Sequence, residues 1–208
     1  MVPGLDKTFQ QNKKMKLFNF LKSKTKLKPE IVEPDFVSHN VKISAASNEK
    51  FLYTSTTTLS TVLDFIKHNS KELGIYLTGS ASEIDIAKFE ENITILPDDF
   101  KLLYKLSNGF ETDEDLFRLI PLDEIISRGK DSYLISNASF HFTEYMIYCD
   151  MWTVDINTEN SNSYRIYNKT NDVVFLTNSL AEFLAIFINK GIYDGLYQWR
   201  EDIIKQTR

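Results

Sequence analysis

Residues 82–109 read SEIDIAKFEENITILPDDFKLLYKLSNG, two helices parted by a Leu-Pro break. Ser82 opens the first, and Asp85 three residues later gives the spacing of a capping box. Ile86, Phe89 and Ile93 then recur at helical intervals. Leu96-Pro97 interrupts the pattern, and Asp98-Asp99 place negative charge where a new helix N-terminus favours it. Phe100, Leu103, Tyr104 and Leu106 form the apolar face of this second helix. Asn108-Gly109 closes it, supplying the left-handed backbone expected at a helix C-terminus.

Upstream, Thr56-Thr57-Thr58 offers hydroxyl caps for a helix carrying Leu59, Val62, Leu63 and Ile66, with Gly74 as its stop. Ile75-Tyr76-Leu77 reads either as a short strand or as linker. Downstream the period changes from helix to strand. Leu116–Ile120 is one candidate strand, ended by Pro121, and Phe140–Tyr148 and Met151–Ile156 are rich in aromatic and β-branched residues. Tyr164–Tyr167 and Val173–Leu176 follow, set off by polar turns at Asn157–Asn162 and Asn168–Asp172. Ser179 and Glu182 are spaced as a second capping box for a helix with Leu180, Phe183, Leu184 and Phe187, stopping at Gly191. A shorter helix is predicted over Leu196–Lys205. The sum is an α+β fold: N-terminal helices, an antiparallel-rich twisted sheet of about five to six strands, and a closing C-terminal helix.

These stretches resemble the SUKH superfamily. The acidic lead-in with Glu90, then Leu96-Pro97, Phe100, Tyr104 and Asn108-Gly109, is similar to its N-terminal signature. Strands entering Ser179-Leu180-Ala181-Glu182-Phe183-Leu184 resemble its end, and the likeness spans about residues 58–192. The segment between the two halves departs from the pattern: family members often carry a Gly-rich hairpin there, and Phe140–Asp155 contains no glycine. The resemblance implies, most often in bacteria, an immunity protein that neutralises a cognate polymorphic or contact-dependent toxin domain by stoichiometric occlusion. The alternative it implies is a non-catalytic regulator or scaffold of the yeast cell-wall-assembly regulator type.

Charge is segregated along the chain. Of 208 residues, positions 1–28 hold eight lysines and one acid, Asp6, whereas the other 180 hold 16 basic and 28 acidic groups. Residues 1–40 therefore read as a basic, flexible arm and 41–208 as one domain. The arm could be a solvated tail, or Leu17, Phe18 and Leu21 could give it a small amphipathic helix making weak contact with an anionic membrane. Met15 offers a second candidate start. The acidic body is expected to repel nucleic acid and favour basic partners. Nothing approaches the roughly 18 apolar residues of a membrane span. The single cysteine, Cys149, forms no internal disulfide, and a reducing cytoplasm fits.

Chemistry-bearing motifs are few. His39 lies in the arm, His68 at a helix end, and His141, Glu144, Cys149 and Asp150 match no tetrahedral zinc spacing. No phosphate-binding Gly loop, G-x-S-x-G or H-E-x-x-H occurs. No catalytic residue, cofactor or metal is expected. The sharpest surface feature is acidic: Glu111, Asp113, Glu114 and Asp115 follow the Asn-Gly stop, and Asp123 and Glu124 extend the run. On an exposed loop these would dock a basic partner, a nuclease toxin being one such, with Trp152, Tyr145 or Tyr148 as aromatic anchors. Either a solvated loop or core packing would account for the same residues.

Overall fold

The computed structural model describes residues 31–32, 50–113 and 116–207. Most of the stretch read as the arm lies outside the described residues, as do His39, Glu114 and Asp115. Two residues within that stretch, Ile31–Val32, form strand β1.

The elements that follow are α1 (Leu59–Asn69), β2 (Ile75–Leu77), α2 (Glu83–Asn92), α3 (Asp98–Leu106), β3 (Phe110–Thr112) and β4 (Phe117–Leu119). After α4 (Leu122–Arg128) come β5 (Ser139–Tyr145), β6 (Asp150–Ile156), β7 (Tyr164–Lys169) and β8 (Val173–Thr177). Helix α5 (Leu180–Lys190) runs through a π-helical segment, Gly191–Tyr197, into α6 (Gln198–Thr207). The α+β class stands. The sheet has eight strands in the order β1-β8-β7-β6-β5-β4-β3-β2, more than the five to six expected. From β2 to β8 it is an antiparallel meander, and β1 joins β8 in parallel.

Capping explains several helix starts. Thr58 accepts from the Thr61 amide at α1, and Ser82 and Asp85 make a complete capping box at α2. At α5 the box is only half formed. Ser179 accepts from the Glu182 amide, but the Glu182 carboxylate takes the Thr177 hydroxyl instead, and Thr177 Oγ1 accepts the Ser179 amide. Helix α1 ends at Asn69 rather than near Gly74, whereas α5 ends as expected at Gly191 (φ 68°), where the π segment begins.

The Leu-Pro and Asn-Gly pairs serve one joint. Pro97 caps α3, and Leu96 beneath it is buried, its amide donating to Glu90 Oε1 at 3.1 Å. The residue just after α3, Ser107, is extended (φ −156°), so Asn108-Gly109 is not a left-handed helix cap. Asn108 instead reaches α4, where its Oδ1 accepts the Leu122 amide at 3.0 Å, a bond that Pro121 cannot provide. Gly109 has φ +122°, and a Cβ there would sit 3.0 Å from Pro121 Cγ and 3.3 Å from the Leu119 carbonyl. Gly109→Ala is therefore expected to cost about 2 kcal/mol from backbone strain and crowding. A urea midpoint unchanged from wild type would contradict this.

Helices cover one face of the sheet. Phe89 of α2 packs on Phe140 at 4.9 Å, Phe100 of α3 on Phe142 at 5.2 Å, and Phe183 of α5 on Phe142 at 5.2 Å. Because strand side chains alternate, the intervening residues point to the other face. There Tyr167, Val173 and Phe175 make a small cluster under Ile135, with the Arg165 guanidinium 3.9 Å from the Phe175 ring. His141 lies on this face too, its Nδ1 2.6 Å from Thr153 Oγ1 and its Nε2 3.2 Å from Asp131 Oδ2.

Burial holds the His141 imidazole below its ordinary pKa, against the opposing pull of Asp131, while Arg128 and Lys169 add to the depression. Below the unfolded value of about 6.5 the unfolded chain takes up a proton that the folded ring resists, so stability falls as pH drops. The fall levels off once pH is below the folded value. His141→Gln is expected to flatten this slope in urea midpoints between about pH 6.5 and 5. A slope unchanged in the variant would assign it to other groups.

Candidate functional site

The register of β2 to β6 sets Tyr76, Glu111, Arg118, Glu144 and Met151 side by side across five strands. Their neighbours Phe110, Leu119 and Trp152 face the helices, so this row lies on the face without them. Arg118 is its centre. Its Nε donates to Glu144, its Nη1 and Nη2 to Glu124 of α4 at 2.8 and 2.5 Å, and Nη2 also to the Tyr148 hydroxyl at 2.7 Å. Hydrogen bonding to Glu124, then to Glu144, drives the guanidinium pKa up against the effect of burial. Glu144 is only 2% exposed, and its Oε2 has no hydrogen-bond partner among the described residues.

Tyr148 comes from the β5–β6 hairpin and folds back onto this row, with the Arg128 guanidinium 3.3 Å from its ring centroid. The hairpin is built without glycine yet turns left-handed. Met146, Ile147 and Tyr148 have φ of 51°, 53° and 64°, and the Cys149 amide reaches back to the Tyr145 and Met146 carbonyls at 3.1 and 3.3 Å. Leu116 has φ 49°, and its carbonyl accepts the Met146 amide at 3.2 Å. Among the described residues, these four are all the non-glycine positions with positive φ. Each left-handed L-residue costs roughly 1–2 kcal/mol, and for a β-branched residue such as Ile147 the conformation is a genuine outlier. Sequence reading missed this turn because no Gly or Asn marks it.

Behind the hairpin, Tyr145 meets Tyr193 and Tyr197 of the π segment at 6.0 and 6.2 Å between centroids, and the Tyr145 and Tyr193 hydroxyls are bonded. The Tyr197 hydroxyl is held strongly neutral by burial, then by the Asp150 carboxylate beside it.

The acids singled out from sequence fall on two elements. Glu111 is exposed but belongs to β3, not to a loop, because its backbone is held between β2 and β4. Asp113 is exposed in the following turn and raises the pKa of Tyr76 by hydrogen bonding. Asp123 is exposed in the first turn of α4, a helix not read from sequence. Glu124 is committed to Arg118 and is less available to a partner. Trp152 is 0% exposed, packed against Phe117 and Tyr197, so it is a core residue rather than a surface anchor. Tyr145 and Tyr148 are half-buried. His141 and Glu144 are engaged as above, Cys149 is exposed in the hairpin, and Asp150 accepts from Asn168 at 2.7 Å. Among the described residues no group of three His, Cys, Asp or Glu side chains could hold a metal ion, and no helix is long and apolar enough to cross a membrane.

Beside Asp113 lies an open cleft of about 550 Å³ whose lining includes Lys50, Lys71, Lys190, Glu72, Asp113 and Asp194. Three cations and three carboxylates give it no excess of either sign.

Fold and surface together define an α+β domain with one sheet face under helices and the other carrying the polar row around Arg118 and a small buried apolar cluster. Residues 80–186, just over half of the chain, match the SMI1 / KNR4 family (SUKH-1), and the chain belongs to that family. No curated protein matches it.

Proposed function

We propose that this chain is an immunity protein, which binds a cognate toxin domain in the bacterial cytoplasm and neutralises it by covering the toxin's active site or a surface beside it. Family membership supports a role of immunity or regulator type. The observation that carries the finer reading is the charge of the body, with 28 acidic against 16 basic groups over positions 29–208. Glu111, Asp113 and Asp123 of that set stand exposed around β3 and α4. Such a surface suits a toxin with a cationic substrate groove, a nuclease above all, and steers its encounter. An interface of about 1,600 Å² would support nanomolar binding or tighter.

Reversing charge at Glu111, Asp113 and Asp123 together is expected to slow association with the toxin about tenfold at low salt, with the difference fading as salt rises. Stopped-flow mixing measures it, and an unchanged low-salt rate would remove the acidic surface from the encounter. The second reading, a regulatory scaffold, is favoured by the eight lysines of residues 1–28, which suit an anionic membrane surface.

A further inference from the structure

Resting on the immunity reading, we propose that the β5–β6 hairpin is a preformed wedge: Met146 and Ile147, with Leu116 beside them, enter an apolar pocket on the toxin rimmed by lysine or arginine. Ile147 is 79% exposed, Leu116 59% and Met146 45%, and the Leu116–Met146 backbone bond makes one patch of them. Apolar side chains held out in water by a strained backbone are a costly arrangement, and such strain concentrates at ligand clamps.

The turn is also braced. Tyr148 is clamped between Arg118 and Arg128, and the Cys149 amide closes the loop onto two carbonyls. A braced tip loses little freedom on binding, so more of the contact energy appears as affinity. Charge names the occupant. Glu111 and Asp113 stand exposed just before Leu116, and Asp150 follows the hairpin at the start of β6. Acids around an apolar tip select a basic rim and disfavour both a second copy of this chain and an anionic bilayer.

Cys149, the chain's single cysteine, is exposed within the hairpin and reports on it directly. The full chain is mixed with the C-terminal domain encoded by the neighbouring upstream gene, the candidate toxin, and maleimide labelling of Cys149 is timed with and without it. The expected result is a 1:1 complex in which labelling slows at least tenfold. Met146→Ser and Ile147→Ser should each weaken affinity about tenfold, while the melting temperature stays at or above that of wild type.

A wild-type complex whose Cys149 labels as fast as the free protein, or Ser variants binding within twofold of wild type, would overturn the wedge and leave the immunity reading standing. Absence of any wild-type complex would overturn both. Loss of a dimer in sedimentation of the Ile147→Ser variant would make the patch a self-interface and likewise overturn the wedge.

Discussion

Trp152→Ala is expected to lower the unfolding free energy by about 4 kcal/mol, in the range for truncating a buried large aromatic residue. The indole is fully buried, with ring centroids of Phe117, Tyr197 and Phe183 at 5.5, 5.6 and 6.3 Å. These neighbours come from β4, the π segment and α5, so the cavity would open where the sheet meets the closing helix. Chemical denaturation measures the loss. Any fall in binding to the proposed toxin by this variant should track the unfolded fraction, because the side chain never reaches the surface. A change under about 1 kcal/mol would contradict the core assignment.

Arg118→Leu is expected to cost about 3 kcal/mol, for a different reason. It leaves the Glu144 carboxylate, 2% exposed, without its counter-charge, and a buried ion pair broken on one side is far worse than none. The double variant Arg118→Leu/Glu144→Leu should recover to within about 1 kcal/mol of wild type, since two apolar side chains can replace a buried pair at little net cost. Denaturation of the three proteins under one buffer tests it. Equal losses in the single and double variants would mean that Arg118 acts through Glu124 and Tyr148 instead.

What was legible in the sequence was local. The α2 capping box, the Leu-Pro break and the apolar spacing of α3 and α5 depend on residues within a few positions of one another, and they stand as read. The β5 to β8 meander was legible because its strands are long and rich in aromatic and β-branched residues. Strand β3 was not: Phe110-Glu111-Thr112 is too short to show a period, and only the backbones of β2 and β4 make it a strand. Helix α4 did carry a signal, Pro121 followed by Asp123-Glu124 at a helix start, but the acids were read as a surface run. Half of the candidate site followed from composition, since acidic exposure at Glu111, Asp113 and Asp123 needs only charge. The left-handed hairpin could not follow, because Tyr148 is held there by Arg118 and Arg128 and the Met146 amide by the Leu116 carbonyl, all partners from other parts of the chain.

Co-expression with the C-terminal domain encoded by the neighbouring upstream gene, the candidate toxin, tests the proposed neutralisation most directly, with growth as the readout. The prediction is that the toxin domain alone arrests growth, that the full chain restores it, and that the two proteins co-purify in equal amounts. Continued arrest, with the chain expressed and folded but no complex recovered, would contradict immunity to that toxin.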